Sequence, residues 1–285
     1  MKFSLTASGL LFLVTGLLCT TAHSQVAANL PDQNGAAESW WSSQPKETKL
    51  LYTNLGAIGA IALYGLAEWD YGSGSLSSAN ERWFQQHTKY GGADKLGHFW
   101  GTYVFSDVLS SVYQNYGYPA QQAGLYGAFS AWVVQAFMEL GDATSPSQGF
   151  SWEDMVANSL GAATSMLMHR YPELDRKIDF RIEYVLETEV NGLFDDYSNH
   201  YYSLVVKLDG FHEIPDNFFR YLEFHIGYYT RGYSDQDEAN KRALYTGISF
   251  NFSKLFSQAG MNRAAKTLEY LQVPYTVAKA RHVVD

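Results

Sequence analysis

Residues 220–228, Arg220-Tyr221-Leu222-Glu223-Phe224-His225-Ile226-Gly227-Tyr228, place Leu222, Phe224, Ile226 and Tyr228 at every second position, with Glu223 and His225 between them. A period of two marks a strand with one apolar face, because successive side chains of an extended chain point to opposite sides. Leu244 to Phe252 repeats the pattern: Leu244, Thr246, Ile248, Phe250 and Phe252 alternate with Tyr245, Gly247, Ser249 and Asn251. Ile178 to Leu186 and Ser203 to Leu208 carry weaker versions, separated by Asp209-Gly210 and by the charged loop Ser234 to Lys241. Some four strands fall short of the roughly eight in the smallest membrane barrels. The expectation is an antiparallel sheet, packed on helices or lying against a membrane.

Upstream of Pro172 the period is helical. Three segments, Asp94 to Tyr116, Gln121 to Leu140 and Trp152 to Tyr171, are divided by Pro119 and by Pro146 with Gly149, and Pro172 closes the last. Ser151 followed by Asp154 fits a helix N-cap with an acid in the first turn. Leu50 to Ala67, LLYTNLGAIGAIALYGLA, approaches the roughly 20 apolar residues of a membrane-crossing helix. Its Gly56, Gly59, Ala60 and Ala62 would let another helix come close, in a membrane or in a soluble bundle alike. Gly72 to Ser75 reads as a loop, Trp83-Phe84 as the start of a short helix, and Met261 to Leu271 as a last amphipathic helix before a basic tail with Lys279 and Arg281. The fold class is therefore α+β: about four small-residue-rich helices, then a small antiparallel sheet and a terminal helix. The expected divisions are a signal over 1–24, a flexible leader over 25–48, a helical domain over 49–172, a β-rich domain over 173–275 and a tail over 276–285.

The first residues carry Lys2, an apolar core from Leu10 to Leu18, and Ala22-His23-Ser24 ahead of Gln25, the pattern of a cleaved secretory signal. Leu18 stands where lipoprotein processing at Cys19 wants a small residue, so no lipid is expected. Cys19 is the single cysteine, and its removal leaves no disulfide or thiolate metal site. Net charge is −9, or −10 once Lys2 goes with the signal and 19 basic residues face 29 acidic ones. That balance argues against nucleic acid as a partner. Aromatic residues make up 16% of the chain, 21 of them Tyr, against 17% charged residues; such a composition suits surfaces with one apolar and one wet side. An exported protein of the outer membrane or periplasm of a Gram-negative envelope is expected, associated with a membrane. No particular protein partner is indicated.

The ionisable residues of the helical half fall in a pattern. In Gly91-Gly92-Ala93-Asp94-Lys95-Leu96-Gly97-His98, Asp94 and His98 are four apart and share a helix face, with Lys95 beside them. Glu139 and Asp142 are three apart at the end of the next helix, where the carbonyl ends disfavour carboxylates without partners. Asp154 and Asn158, four apart, open the third. If these converge, three chemistries are open. Glu139 or Asp142 can act as a general base, with His98 as acid or base and Lys95 stabilising negative charge. His98, Glu139, Asp142 and Asp154 can form an oxygen-rich metal site. Or pairs such as Lys95 with Glu139 and His98 with Asp154 lock the helices together. No phosphate loop, nucleophile elbow or zinc-protease motif occurs, and no cofactor is indicated. His169 with Arg170 reads as a helix end, and His200, His212 and His225 as surface or half-buried residues.

DKLGHFWGTYVFSD, then FMELGDATSPSQGFSWEDMVANSLGA, resembles the YfiM-like group of uncharacterised bacterial envelope proteins, over roughly residues 50 to 275. The matching positions are Asp94, Lys95, His98, Glu139, Asp142, Asp154 and Asn158. A more distant likeness, to VanZ-like membrane proteins through the D-K-x-x-H helix and a later D-x-x-x-N helix, implies an all-helical membrane core. The close resemblance implies an envelope protein of uncharacterised activity and names no reaction. The expectation drawn from the residues is a membrane-associated protein whose inter-helix polar site binds or processes an envelope lipid or glycan; a non-enzymatic structural or assembly factor, with the same residues locking the helices, is the alternative.

Overall fold

The computed structural model describes residues 39–185, 197–233 and 239–284; the signal over 1–24, the leader up to residue 38 and most of the charged loop lie outside them. The described residues form two compact units, one of 39–80 and 101–169, the other of 81–100 and the described part of 170–284.

The first unit is helical. Its long helices are α1 (Lys46–Glu68), the body of α2 (Ala93–Asn115), α3 (Ala120–Asp142) and α4 (Trp152–Arg170), with a single turn Trp40–Ser43 ahead of them. Pro45 and Pro119 stand at the starts of α1 and α3, where a missing N–H costs nothing. Ser151 opens α4 as its spacing predicted: its hydroxyl accepts the Asp154 N–H at 3.2 Å. By length and composition α1 could cross a membrane. The two polar residues that break its apolar run have partners inside the unit: Thr53 Oγ1 meets the Tyr116 hydroxyl at 3.0 Å, and Asn54 Nδ2 donates to the Tyr113 hydroxyl at 3.0 Å. Helices α2 and α3 touch through Gly127, where an added Cβ would stand 2.5 Å from the Ser106 carbonyl oxygen and 2.7 Å from the Ser110 nitrogen.

The unit has an apolar core of Leu109, Tyr113, Tyr118, Ala123 and Ala131, but α3 and α4 bury mainly small and polar residues. On α3 the buried set is Ala123, Gly124, Gly127, Ala128, Ser130, Ala131, Val134 and Glu139, while Leu125, Tyr126, Phe129, Phe137 and Leu140 are exposed. On α4 Glu153, Asp154, Ala157, Asn158, Gly161, Ala162, Ser165 and Met168 are inside, and Trp152, Val156, Leu160, Met166 and Leu167 face out. Thr102, Ser106 and Ser110 form a fully buried hydroxyl stripe along α2. Scattered exposed apolar residues are ordinary, but whole helix faces of them are not.

The second unit is a five-stranded antiparallel meander in the order β1 (Ile178–Tyr184), β2 (His200–Lys207), β3 (Leu222–Arg231), β4 (Lys241–Phe250), β5 (Ala278–Val283), with short helices α5 (Phe252–Gln258) and α6 (Asn262–Thr267) between the last two strands. The basic tail is thus a strand: Ala278 to Val283 pairs along β4. The expected helix Met261 to Leu271 ends at Thr267. Beyond it the Ile182 N–H donates to the Tyr270 carbonyl and the Gln272 N–H to the Ile182 carbonyl, so residues 270–272 line the free edge of β1. Lys279 of β5 reaches Glu183 of β1 at 2.6 Å, so the sheet curls toward its inner face. No helix starts at Trp83-Phe84: Arg82 has φ 62°, and the Trp83 N–H is held by Gln85 Oε1 at 2.9 Å.

The curl encloses charge. Arg181 bonds Asp179 at 2.5 Å and Glu223 at 2.7 Å, Lys207 joins Asp179, and Gln272 and Ser249 complete the set, all buried. His225, expected to be a surface or half-buried residue, is fully buried between the Ser203 and Ser249 hydroxyls at 3.3 and 2.8 Å. Burial first, then the Arg181 and Lys279 cations, push its imidazole down to about 3. His200 is buried too, and His212 is exposed.

Candidate functional site

Each unit carries part of the polar set. In the helical unit the loop between α3 and α4 folds back so that both helix ends meet at Ser151. Glu139 on the last turn of α3 accepts the Ser151 N–H through Oε2 at 3.2 Å. The Ser151 hydroxyl donates to Glu153 Oε2 at 3.4 Å and accepts from the Asp154 N–H. Glu139, Glu153 and Asp154 are all buried. One turn further into the bundle, Asn158 Oδ1 accepts from Thr102 Oγ1 at 2.8 Å and from Gln135 Nε2 at 3.4 Å. The other end of that amide, Nδ2, is buried with no hydrogen-bond partner among the described residues. Since a buried donor left unmade costs free energy, this amide is poised for an acceptor.

Asp142 fastens the loop. Its carbonyl accepts from the Ser145 and Gly149 N–H groups at 3.0 and 2.9 Å. Tyr71, from the segment after α1, donates to the Met138 carbonyl at 3.0 Å. Burial, then Asp142 and Glu139, raise its phenol far above the ordinary tyrosine value, so it stays protonated. Its ring occupies the space a Cβ would need at Gly141 and Gly65.

In the sheet unit, Lys95 is buried on the first turn of α2 and donates to Asp94 Oδ2 at 2.6 Å and to Glu81. The left-handed pair Gly91 and Gly92, φ 64° and 85°, turns the chain into this helix. Glu81 had no sequence signal: it precedes the helix in an irregular segment, so no periodicity marks it. Glu153, Gln135, Thr102 and Tyr71 were likewise missed; a fourfold spacing from His98 to Thr102 was present in the sequence and could have found the second of the α2 positions. His98 follows Asp94 by one turn and is half-buried. Of the set named from the sequence, Glu139, Asp142, Asp154 and Asn158 gather at one end of the helical unit, and Asp94 and Lys95 pair in the other. His169 Nε2 meets Asp107 Oδ1 at 2.7 Å, an ion-pair geometry rather than a bare helix end.

Residues 80–170 match one family model. It is described as a predicted periplasmic lipoprotein family, DUF2279. The DUF2279 segment holds every polar residue named above except Tyr71, and the family's description is consistent with an exported envelope protein. The match begins well after Cys19, so the lipid in that description bears on the family and leaves the reading of Leu18 and Cys19 where it stood. No curated protein and no solved structure matches the chain.

Proposed function

We propose that the chain is a membrane-associated envelope protein whose helical unit turns its large apolar side chains to lipid and uses its polar interior to bind, or act on, the polar part of an envelope lipid or glycan. One observation carries the reading: apart from Val134 and Met168, α3 and α4 bury Gly, Ala, Ser and the polar Glu139, Glu153, Asp154 and Asn158, and they expose Leu125, Phe129, Phe137, Leu140, Trp152, Leu160 and Leu167. Helices pack through small residues and satisfy polar groups inside when the surrounding medium is apolar. The distant likeness of the D-K-x-x-H helix to VanZ-like membrane proteins agrees with it, and the expected signal over residues 1–24 supplies the export. The residues we assign to the site are Asp94, Lys95, His98, Glu139, Asp142, Asp154 and Asn158. Glu139 or Asp142 serves as base, His98 as acid or base, and Lys95 balances negative charge on the ligand. The unspent Asn158 donor suits a ligand oxygen such as a sugar hydroxyl or a headgroup carbonyl.

A second reading has its own support: Lys95 is clasped by Asp94 and Glu81, as in a structural lock. Lipids and glycans that co-purify with the protein in mild detergent, identified by mass spectrometry, separate the two. If the site is functional, Glu139→Gln and His98→Ala lose the co-purified species with thermal stability nearly unchanged. If it is a lock, they lose on the order of 3–5 kcal/mol of stability and no ligand is found in the parent protein.

A further inference from the structure

We infer that the outer face of the β-sheet is a second lipid-contact surface, seated against the acyl chains of a bilayer independently of the helices. Phe224, Ile226, Leu244, Ile248 and Phe250 are 44–59% exposed. The register makes them one patch, since Phe224 opposes Ile248, Leu222 opposes Phe250 and Tyr228 opposes Leu244, with Val206 and Leu204 of β2 on the far side of β3. From Leu222 to Tyr228 this face is roughly 20 Å long at a strand rise of about 3.3 Å per residue.

The other face of the same strands holds Glu223, His225, Ser249, Arg181 and Lys207, all buried. A half-exposed antiparallel sheet in water turns its apolar face inward and its polar face out. Here the inner face carries that ion cluster beside a packed set of Val185, Tyr201, Tyr229, Ala243 and Tyr245, and a second apolar face is left uncovered. An apolar medium makes the uncovered face favourable. The polar side chains of the patch are Thr246 and Tyr228, and the Tyr228 hydroxyl already donates to the Gly91 carbonyl, so the patch makes few hydrogen-bonding demands, which fits hydrocarbon rather than the mixed polar surface of a protein.

The end of the patch has the character of a membrane interface. Phe218 and Phe219 project from the turn before β3, and Phe218, Tyr221, Phe250, Phe252 and Leu255 line a shallow apolar depression open to solvent. Beside it Lys254 lies 5.4 Å from the Tyr221 ring and 3.7 Å from Asp209 Oδ2, and Arg220 donates through Nε to the Ile214 carbonyl. Aromatic rings with charged neighbours at the edge of an apolar band match the interface level of a bilayer.

The test uses the full chain with Cys19→Ser, so that one introduced thiol is the single one, bound to vesicles of phosphatidylethanolamine and phosphatidylglycerol. An environment-sensitive fluorophore is attached in turn at Ile226→Cys, Ile248→Cys, the loop control Glu213→Cys and the helical control Phe129→Cys. The expected result is blue-shifted emission, quenched by spin-labelled acyl chains, at 226 and 248 and not at 213. Ile226→Asp with Ile248→Asp should lower vesicle affinity at least tenfold while the far-UV circular dichroism is retained. Labels at 226 and 248 that remain in water on vesicle-bound protein whose residue 129 is quenched overturn this inference and leave the helical reading intact. Disulfide-linked dimers through Ile226→Cys with no lipid quenching overturn it in favour of a second copy on this face.

Discussion

Arg181→Met tests whether the sheet interior is held by its charges. Arg181 is buried and bridges Asp179 at 2.5 Å and Glu223 at 2.7 Å. Removing the guanidinium does not strand both carboxylates equally: Asp179 keeps the Lys207 ammonium, whereas Glu223 retains the Ser249 hydroxyl at 3.2 Å. One buried carboxylate therefore loses its countercharge, which costs about 3–5 kcal/mol. The double change Arg181→Met with Glu223→Gln removes the stranded charge as well and should return stability to within about 1–2 kcal/mol of the parent, the scale of imperfect neutral hydrogen bonds. Urea unfolding in mild detergent, followed by far-UV circular dichroism, measures both. A single variant less than about 1 kcal/mol below the parent would refute the reasoning, as would a double variant no better than the single one.

Three further outcomes follow from particular contacts. Gly127→Ala should cost about 1–3 kcal/mol, because its Cβ meets backbone of α2 that cannot swing aside, whereas Gly56→Ala, with nothing within 4 Å, should gain up to about 1 kcal/mol from helix propensity; thermal unfolding of the pair compares them. His225 titrates at about 3 when folded against an ordinary 6.5, so the unfolded chain takes up the proton first: stability is whole above pH 6.5 and falls as the pH drops toward 3. By pH 5 this amounts to about 2 kcal/mol, and His225→Gln should remove that part of the slope in urea midpoints taken between pH 7 and pH 5. Finally, the mass of the mature protein should correspond to a start at Gln25 without lipid; a diacylated Cys19 would overturn the reading of Leu18.

The sequence by itself determined the elements that local periodicity can encode. A period of two gave β1 to β4 within a few residues, prolines and the Ser151 cap set the ends of α3 and α4, and fourfold spacing paired Asp154 with Asn158. Ala278 to Val283 escaped because Lys279, Arg281 and His282 carry no apolar alternation; that strand exists only because β4 offers it an open edge. The tertiary structure alone decided which face of each element turns inward. Alternation says that one face is apolar and one polar, and convention assigns the apolar one to the core. Here Arg181, Glu223 and His225 enter the sheet interior beside Tyr201, Tyr229 and Tyr245, and Ser, Gly, Asp and Asn share that of the helices with Leu109 and Tyr113, because charges and hydroxyls find partners across strands and helices that are distant in the chain. Such partnering depends on long-range pairs such as Arg181 with Glu223 and Thr102 with Asn158, which no local window of sequence contains.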